Sequence, residues 1–284
     1  MFRIPKYYDD FHGLWRSTLS ALDCIYVLKG LKRCSIDFVE GAQIPELRNF
    51  CKLNNLCFEL SDYKILSRGE KAKGGFSNLS SRLPVDSPQG HFASFIAKDR
   101  MDAQLAKYYY AGSDHTKLGP LLGYPKCCSE FFLEHFKQAS EKNMDFILYA
   151  LFDIRQYDFY NNRAMRYFDI SLISHFPCSL DCQASQAIAK ERLLFVRKEH
   201  PEIAAFFEKY LRSMVIYTES QGVFFSNDYS INQNHVEYKT LYGTIDNDLF
   251  QKLKNVGTIT VESYNKLVIG SELLDGDCGI LLFK

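Results

Sequence analysis

The sequence predicts an α+β protein in three parts: a small N-terminal α/β unit (1–98), a helical centre carrying paired cysteines (99–216), and a β-rich C-terminal module (217–284). Three observations predict it. Helix-period and strand-period segments alternate through residue 98. Apolar residues at helical spacing dominate the centre. Short alternating segments divided by turn residues fill the end of the chain.

Taken in order, Leu14, Leu19, Leu22, Ile25 and Leu28 recur at helical spacing and predict a helix within 11–31. "CSIDFVEG" (34–41) reads as a strand. "IPELRNFCKLNN" (44–55) reads as a short helix with a proline near its start, and "LCFELSDYKIL" (56–66) returns to strand. Residues 67–90, rich in Ser, Gly, Lys and Pro, read as loop. The basic run around them (Lys64, Arg68, Lys71, Lys73) reads as solvated surface, and "KGGFSN" (73–78) lacks the context of a nucleotide loop. "HFASFIA" (91–97) is a strand. Residues 99–112 form a helix, with Asp99 as its N-cap and Gly112 as its stop.

In the centre, 125–142 reads as a helix with Pro125 at its first position. Residues 143–168 read as one or two amphipathic helices. Residues 179–200 and 201–214 complete the helical part. Beyond a boundary near 214–220, strands are expected in "VIYTES", "GVFFSNDYS", "HVEYKTLYGTI", "GTITVES", "KLVIGSEL" and "GILLFK". One helix, 246–255, interrupts them.

Lys plus Arg equals Asp plus Glu at 34 each, and this balance argues against a general nucleic-acid binder. No apolar run long enough for a membrane span is present, and the first residues lack the apolar stretch of a signal peptide. A cytoplasmic location is therefore expected. Thiols stay reduced there, so the nine cysteines are read as packed, catalytic or metal-bound, not as a disulfide framework.

Two stretches stand apart, "LLGYPKCCSEFF" (121–132) and "HFPCSLDCQAS" (175–185). Each places cysteines after a proline at an expected helix start. There the N–H groups lack intrahelical partners, and the helix dipole stabilises thiolate, the form that binds metals. In the second stretch Ser179 is the expected cap, with Cys182 at the third helical position. In the first, Cys127 and Cys128 are adjacent; their side chains diverge by about 100° on a helix, which makes them poor partners for each other. Cys127, Cys128, Cys178 and Cys182 together match the ligand count of a Cys₄ centre. An iron–sulfur cluster is the expected cofactor, with zinc as the alternative. The radical-SAM pattern C-x₃-C-x₂-C fails because position 185 is serine.

His175 is a candidate ligand or acid/base group, and Asp114 and His115 can line the mouth of the same site. Cys24, Cys34, Cys51, Cys57 and Cys278 lie in periodic segments or turns and read as small packed hydrophobes. Arg163 and Arg166 can bind a carboxylate or phosphate, but a solvated helix face is the preferred reading.

The two stretches resemble a family of uncharacterised prokaryotic proteins. The likeness rests on Gly123, Tyr124, Pro125, Cys127, Cys128, Phe131 and Phe132, then His175, Pro177, Cys178, Ser179, Cys182 and Ser185. It implies that both cysteine pairs belong to one site and brings no activity with it. The expected function is a metalloenzyme acting on an unidentified small molecule, nucleoside or peptide. The rivals are a zinc-stabilised binding module without catalysis and a metal-free thiol–disulfide oxidoreductase.

Overall fold

The computed structural model describes residues 14–15, 17–75 and 78–284. The part of the expected first helix before Leu14 lies outside them. The fold is α+β, with N-terminal strands, a helical middle and a β-rich end. Contacts divide the chain into two compact units. Among the described residues, one holds 14–15, 17–68 and 78–134; the other holds 69–75 and 135–284.

The first unit is built on α1 (Thr18–Lys29), β1 (Cys34–Val39), α2 (Ile44–Leu53), β2 (Cys57–Ser67), β3 (Ser80–Leu83), β4 (His91–Ala97), α3 (Arg100–Ala111) and α4 (His115–Leu121), after which α5 (Lys126–Ser140) begins. Its strands form an antiparallel sheet in the order β1-β4-β2-β3. Side chains alternate across the sheet, so each face collects its own core. Ile96 and Val39 pack with Val27 of α1 and Leu47 of α2 on one face. Ala93, Phe95 and Ala97 pack with Ala103, Ala106 and Leu118 on the other. Asp99 caps α3 as its chemistry predicts, accepting from the Met101 amide at 2.7 Å. Asp114 caps α4, accepting from the Lys117 amide at 3.3 Å.

The second unit contains the short strand β5 (Gln156–Tyr157), α6 (Gln183–Glu199), α7 (Pro201–Leu211), β6 (Met214–Thr218), β7 (Val223–Ser226), β8 (Tyr229–Asn232), β9 (His235–Tyr238), β10 (Tyr242–Gly243), α8 (Asp248–Val256), β11 (Thr258–Ser263), β12 (Lys266–Ile269), β13 (Glu272–Asp275) and β14 (Cys278–Phe283). Two five-stranded sheets form, β10-β7-β6-β14-β5 and β13-β12-β11-β9-β8. They share a core in which Ile216, Phe224 and Ile280 meet Val236, Ile259 and Leu267, with Leu253 of α8. The strand segments expected from 214 onward all appear, as does the helix between them.

The expectation for 143–168 fails. Instead of amphipathic helices, this stretch forms short 3₁₀ turns (148–150, 159–161 and 163–168) and β5. Asn143 and Met144 adopt left-handed backbone with φ of 57° and 53°, which ends α5. The polar residues that looked like a solvated face then turn inward. Asp145 and Arg166 are buried and form an ion pair at 3.1 Å. Tyr167 donates to the same carboxylate. Arg163 donates to the Ile173 carbonyl at 2.8 Å.

Two more titratable groups, Lys73 and Glu219, are buried in this unit. Lys73 was expected on a solvated loop. Burial, the largest cause, pushes the Glu219 carboxyl up to about 7; Asp145 and Asp277 add to the rise, and Lys73 and Lys142 oppose it. Burial also brings the Lys73 amine down to about 8, opposed by Asp145, Glu219 and Glu70 and reinforced by Arg166. Between pH 4.5 and about 7 the folded chain holds a proton on Glu219 that the unfolded chain has lost, so this group makes stability fall as pH rises. Between about 8 and 10.5 the unfolded chain holds a proton on Lys73 that the folded chain has lost, so stability rises again. Urea midpoints should therefore show a trough near neutral pH. Glu219→Gln should flatten its acid side; an unchanged profile in that variant would refute this burial effect.

Candidate metal centre

The first cysteine pair sits at the mouth of α5. The Pro125 carbonyl accepts from the Ser129 amide at 2.9 Å, so Pro125 holds the cap position and Lys126 opens the helix one residue later than the sequence suggested. Cys127 and Cys128 occupy the first turn, where N–H groups have no intrahelical partner. The turn before it is fixed by Gly123, which has φ +74° and donates to the Pro120 carbonyl at 3.0 Å. Gly119 allows α4 to approach α5 closely: a Cβ there would lie 2.6 Å from the Ser129 hydroxyl.

The second pair lies on a loop that leads into α6. Here the helix starts later than expected. Cys182, not Ser179, is its N-cap, and the Cys182 carbonyl accepts from the Gln186 amide at 2.9 Å. Residues 179–182 form a turn closed by the Cys182 amide on the Ser179 carbonyl at 3.1 Å. The Ser179 hydroxyl is engaged by Asp181 at 2.7 Å, which explains why it does not cap the helix. Arg155 pairs with the same carboxylate at 2.5 Å, and these two partners hold Asp181 below the usual carboxylate range. Its negative charge beside the cysteines is thereby offset.

Buried Asn161 and half-buried Phe176 set the path of this loop. Asn161 donates to the carbonyls of both Leu180 and Cys182 at 3.2 Å. Phe176 packs against Phe146 at 4.9 Å between ring centroids, with the Arg166 guanidinium 4.5 Å from its ring. The sequence reading missed Asn161; its only signal was an Asn pair in a segment taken for helix.

Cys127, Cys128, Cys178 and Cys182 place their sulfurs within 4.8 Å of one another. The adjacent pair, expected to diverge, has its sulfurs 4.0 Å apart. The first turn of a helix leaves χ1 enough choice for neighbouring side chains to swing to one side. Cys127 is exposed, Cys178 half-buried, and Cys128 and Cys182 buried. Among the described residues, which include all nine cysteines, no disulfide forms. A set of four thiols this close could hold a metal ion.

Cys24, Cys34, Cys51 and Cys278 are buried. Burial pushes the Cys34 and Cys51 thiols up to about 12 and the Cys278 thiol to about 11, and raises Cys24 well above its ordinary value. Thiols held protonated are poor ligands and poor nucleophiles, which suits packing.

His175 is buried, and its Nε2 lies 2.9 Å from the Ser185 hydroxyl in the first turn of α6. His115 is half-buried against the ring of Phe132 at 5.3 Å, and burial lowers its pKa. Asp114 accepts from Thr116 and from the Lys117 amide, and the Thr116 hydroxyl is the main cause of its lowered pKa.

Residues 95–212 match the family model described as "Protein of unknown function (DUF483)", and both cysteine motifs fall inside the match. This bears out the resemblance to an uncharacterised domain family. Comparison with curated proteins and with solved structures finds no match. No helix among the described residues is long and apolar enough to cross a membrane.

Proposed function

We propose that the chain is a metalloprotein in which Cys127, Cys128, Cys178 and Cys182 hold one tetrahedral ion, zinc by its donor set, in a closed structural centre. The observation that carries this reading is the sulfur separation. Four thiolates at about 2.3 Å from one zinc stand about 3.8 Å apart. The sulfurs here lie within 4.8 Å of one another, and the adjacent pair is 4.0 Å apart. Ligands of an iron–sulfur cluster stand farther apart, on the order of 6–7 Å, because irons and sulfides intervene. Four thiolates fill the coordination shell of zinc and leave no position for substrate, which is the mark of a structural site.

The chain's own residues supply what such an ion needs. The first turn of α5 and the N-terminus of α6 bring partial positive charge toward the thiolates. Asn161 fixes the carbonyls on either side of Asp181, and Ser185 holds His175 against the base of α6. In this reading His175 is a positioning residue, Asp114 a helix cap and His115 a packing residue. When bound, the ion ties the two cysteine motifs together.

Anaerobic purification followed by metal and sulfide analysis tests the reading. The expected protein is colourless, with one zinc per chain and no acid-labile sulfide. A brown protein with several irons and matching sulfide would replace it with the cluster. A metal-free protein showing a reversible two-electron Cys–Cys couple would replace it with a thiol oxidoreductase.

A further inference from the structure

The four cysteines of the candidate centre are unequally shielded. Cys127 is exposed, Cys178 is half-buried, and Cys128 and Cys182 are buried. Cys127 stands in the first turn of α5 beside the exposed Lys126. Solvent therefore reaches that turn at Cys127 and stops at Cys128. Four thiolates fill the shell of one zinc, so chemistry at such a centre takes place on a ligand sulfur and needs no open position on the ion. Thiolate is also the form of cysteine that peroxides oxidise, and exposure decides which thiolate reacts first.

We propose, building on the zinc reading, that Cys127 is an oxidation site for a small hydroperoxide and closes a disulfide with Cys178, which releases the ion. The Cys127 thiolate attacks one peroxide oxygen. An S–O bond forms, the O–O bond breaks, and the departing hydroxide takes a proton from solvent. Sulfur loses two electrons to the peroxide and becomes a sulfenic acid. The Cys178 thiolate then attacks that sulfur. An S–S bond forms, the S–O bond breaks, and a second hydroxide leaves as water. Two thiolates, one hydrogen peroxide and two protons become one disulfide and two waters. Two of the four ligands are then lost to the ion.

Geometry selects Cys178 as the partner. Cys128 follows Cys127 directly in a helix, where a disulfide between neighbours strains the backbone. Cys182 is buried, and its carbonyl is held by the Gln186 amide and by Asn161. Cys178 lies on the loop before α6, and its sulfur is within 4.8 Å of that of Cys127. A disulfide needs about 2 Å, so the loop has to yield by a few ångströms. Cys57 supplies an internal control: it is half-buried outside the set, and its thiol donates to the Lys98 carbonyl at 3.7 Å.

The test uses the full chain as purified. It is titrated with hydrogen peroxide while a colorimetric chelator reads free zinc, dimedone traps sulfenic acid, and peptide maps without reductant read disulfides. Zinc release and disulfide formation should rise together, about one for one. Dimedone should mark Cys127 at least about tenfold faster than Cys57, and the cross-linked peptide should join Cys127 to Cys178. Dithiothreitol with added zinc should restore the starting metal content. Zinc retained under about tenfold excess peroxide, oxidation of Cys57 ahead of Cys127, or a cross-link between other cysteines would overturn the inference and leave the zinc reading standing. A chain that purifies without zinc would overturn both.

Discussion

Cys182→Ser should lower the metal content from one ion per chain to below about a tenth of that. A serine hydroxyl does not ionise near neutral pH and cannot replace a thiolate. Cys182 is also the N-cap of α6, so losing the ion removes the tether of that helix mouth. The binding free energy of a structural zinc is folding free energy, on the order of 10 kcal/mol in small zinc domains. Only part of it bears on a unit with its own large core, and a fall of about 10 °C or more in the unfolding midpoint is expected. The control is Cys51→Ser, a fully buried cysteine packed with Val39 and Leu47. It should destabilise the chain by placing a hydroxyl in an apolar core, yet leave the metal content untouched. Equal metal loss in both variants would mean that the loss follows unfolding and not the removal of a ligand.

The second large effect concerns the buried ion pair. Arg166→Met should cost about 3–5 kcal/mol in urea unfolding, because it strands the Asp145 carboxylate among buried groups. Adding Asp145→Asn should recover a good part of that loss, since a neutral amide no longer needs the guanidinium. A cost below about 1 kcal/mol for Arg166→Met would show that the pair is solvated and that the inward turn of 163–168 is wrong.

Wherever a local rule decided the outcome, the sequence was readable. Asp99 caps its helix, Pro45 opens α2, and the β-rich end separates into strands at its turn residues. The cysteine centre was readable because proline marks helix starts and because four thiols in two matched pairs are rare without a shared purpose. Long-range contacts decided the rest. Residues 143–168 carry apolar positions at helical spacing, but the positive φ at Asn143 and Met144 and the burial of Asp145 with Arg166 override that periodicity. Lys73 stands in a run that by composition is indistinguishable from a solvated loop. Its burial depends on contacts with Tyr217 and Tyr167, and on Thr244 holding the neighbouring Ala72 carbonyl, all distant in sequence. The start of α6 shifted because Asp181, with Arg155 beside it, drew the Ser179 hydroxyl away from capping.

X-ray absorption at the metal K-edge of the purified, anaerobically handled protein tests the single-ion centre most directly. One ion held by the four cysteines predicts a single shell of four sulfurs at about 2.3 Å, with no metal–metal scattering. A metal–metal vector, or a shell with two or more nitrogen or oxygen neighbours in place of sulfur, would contradict it.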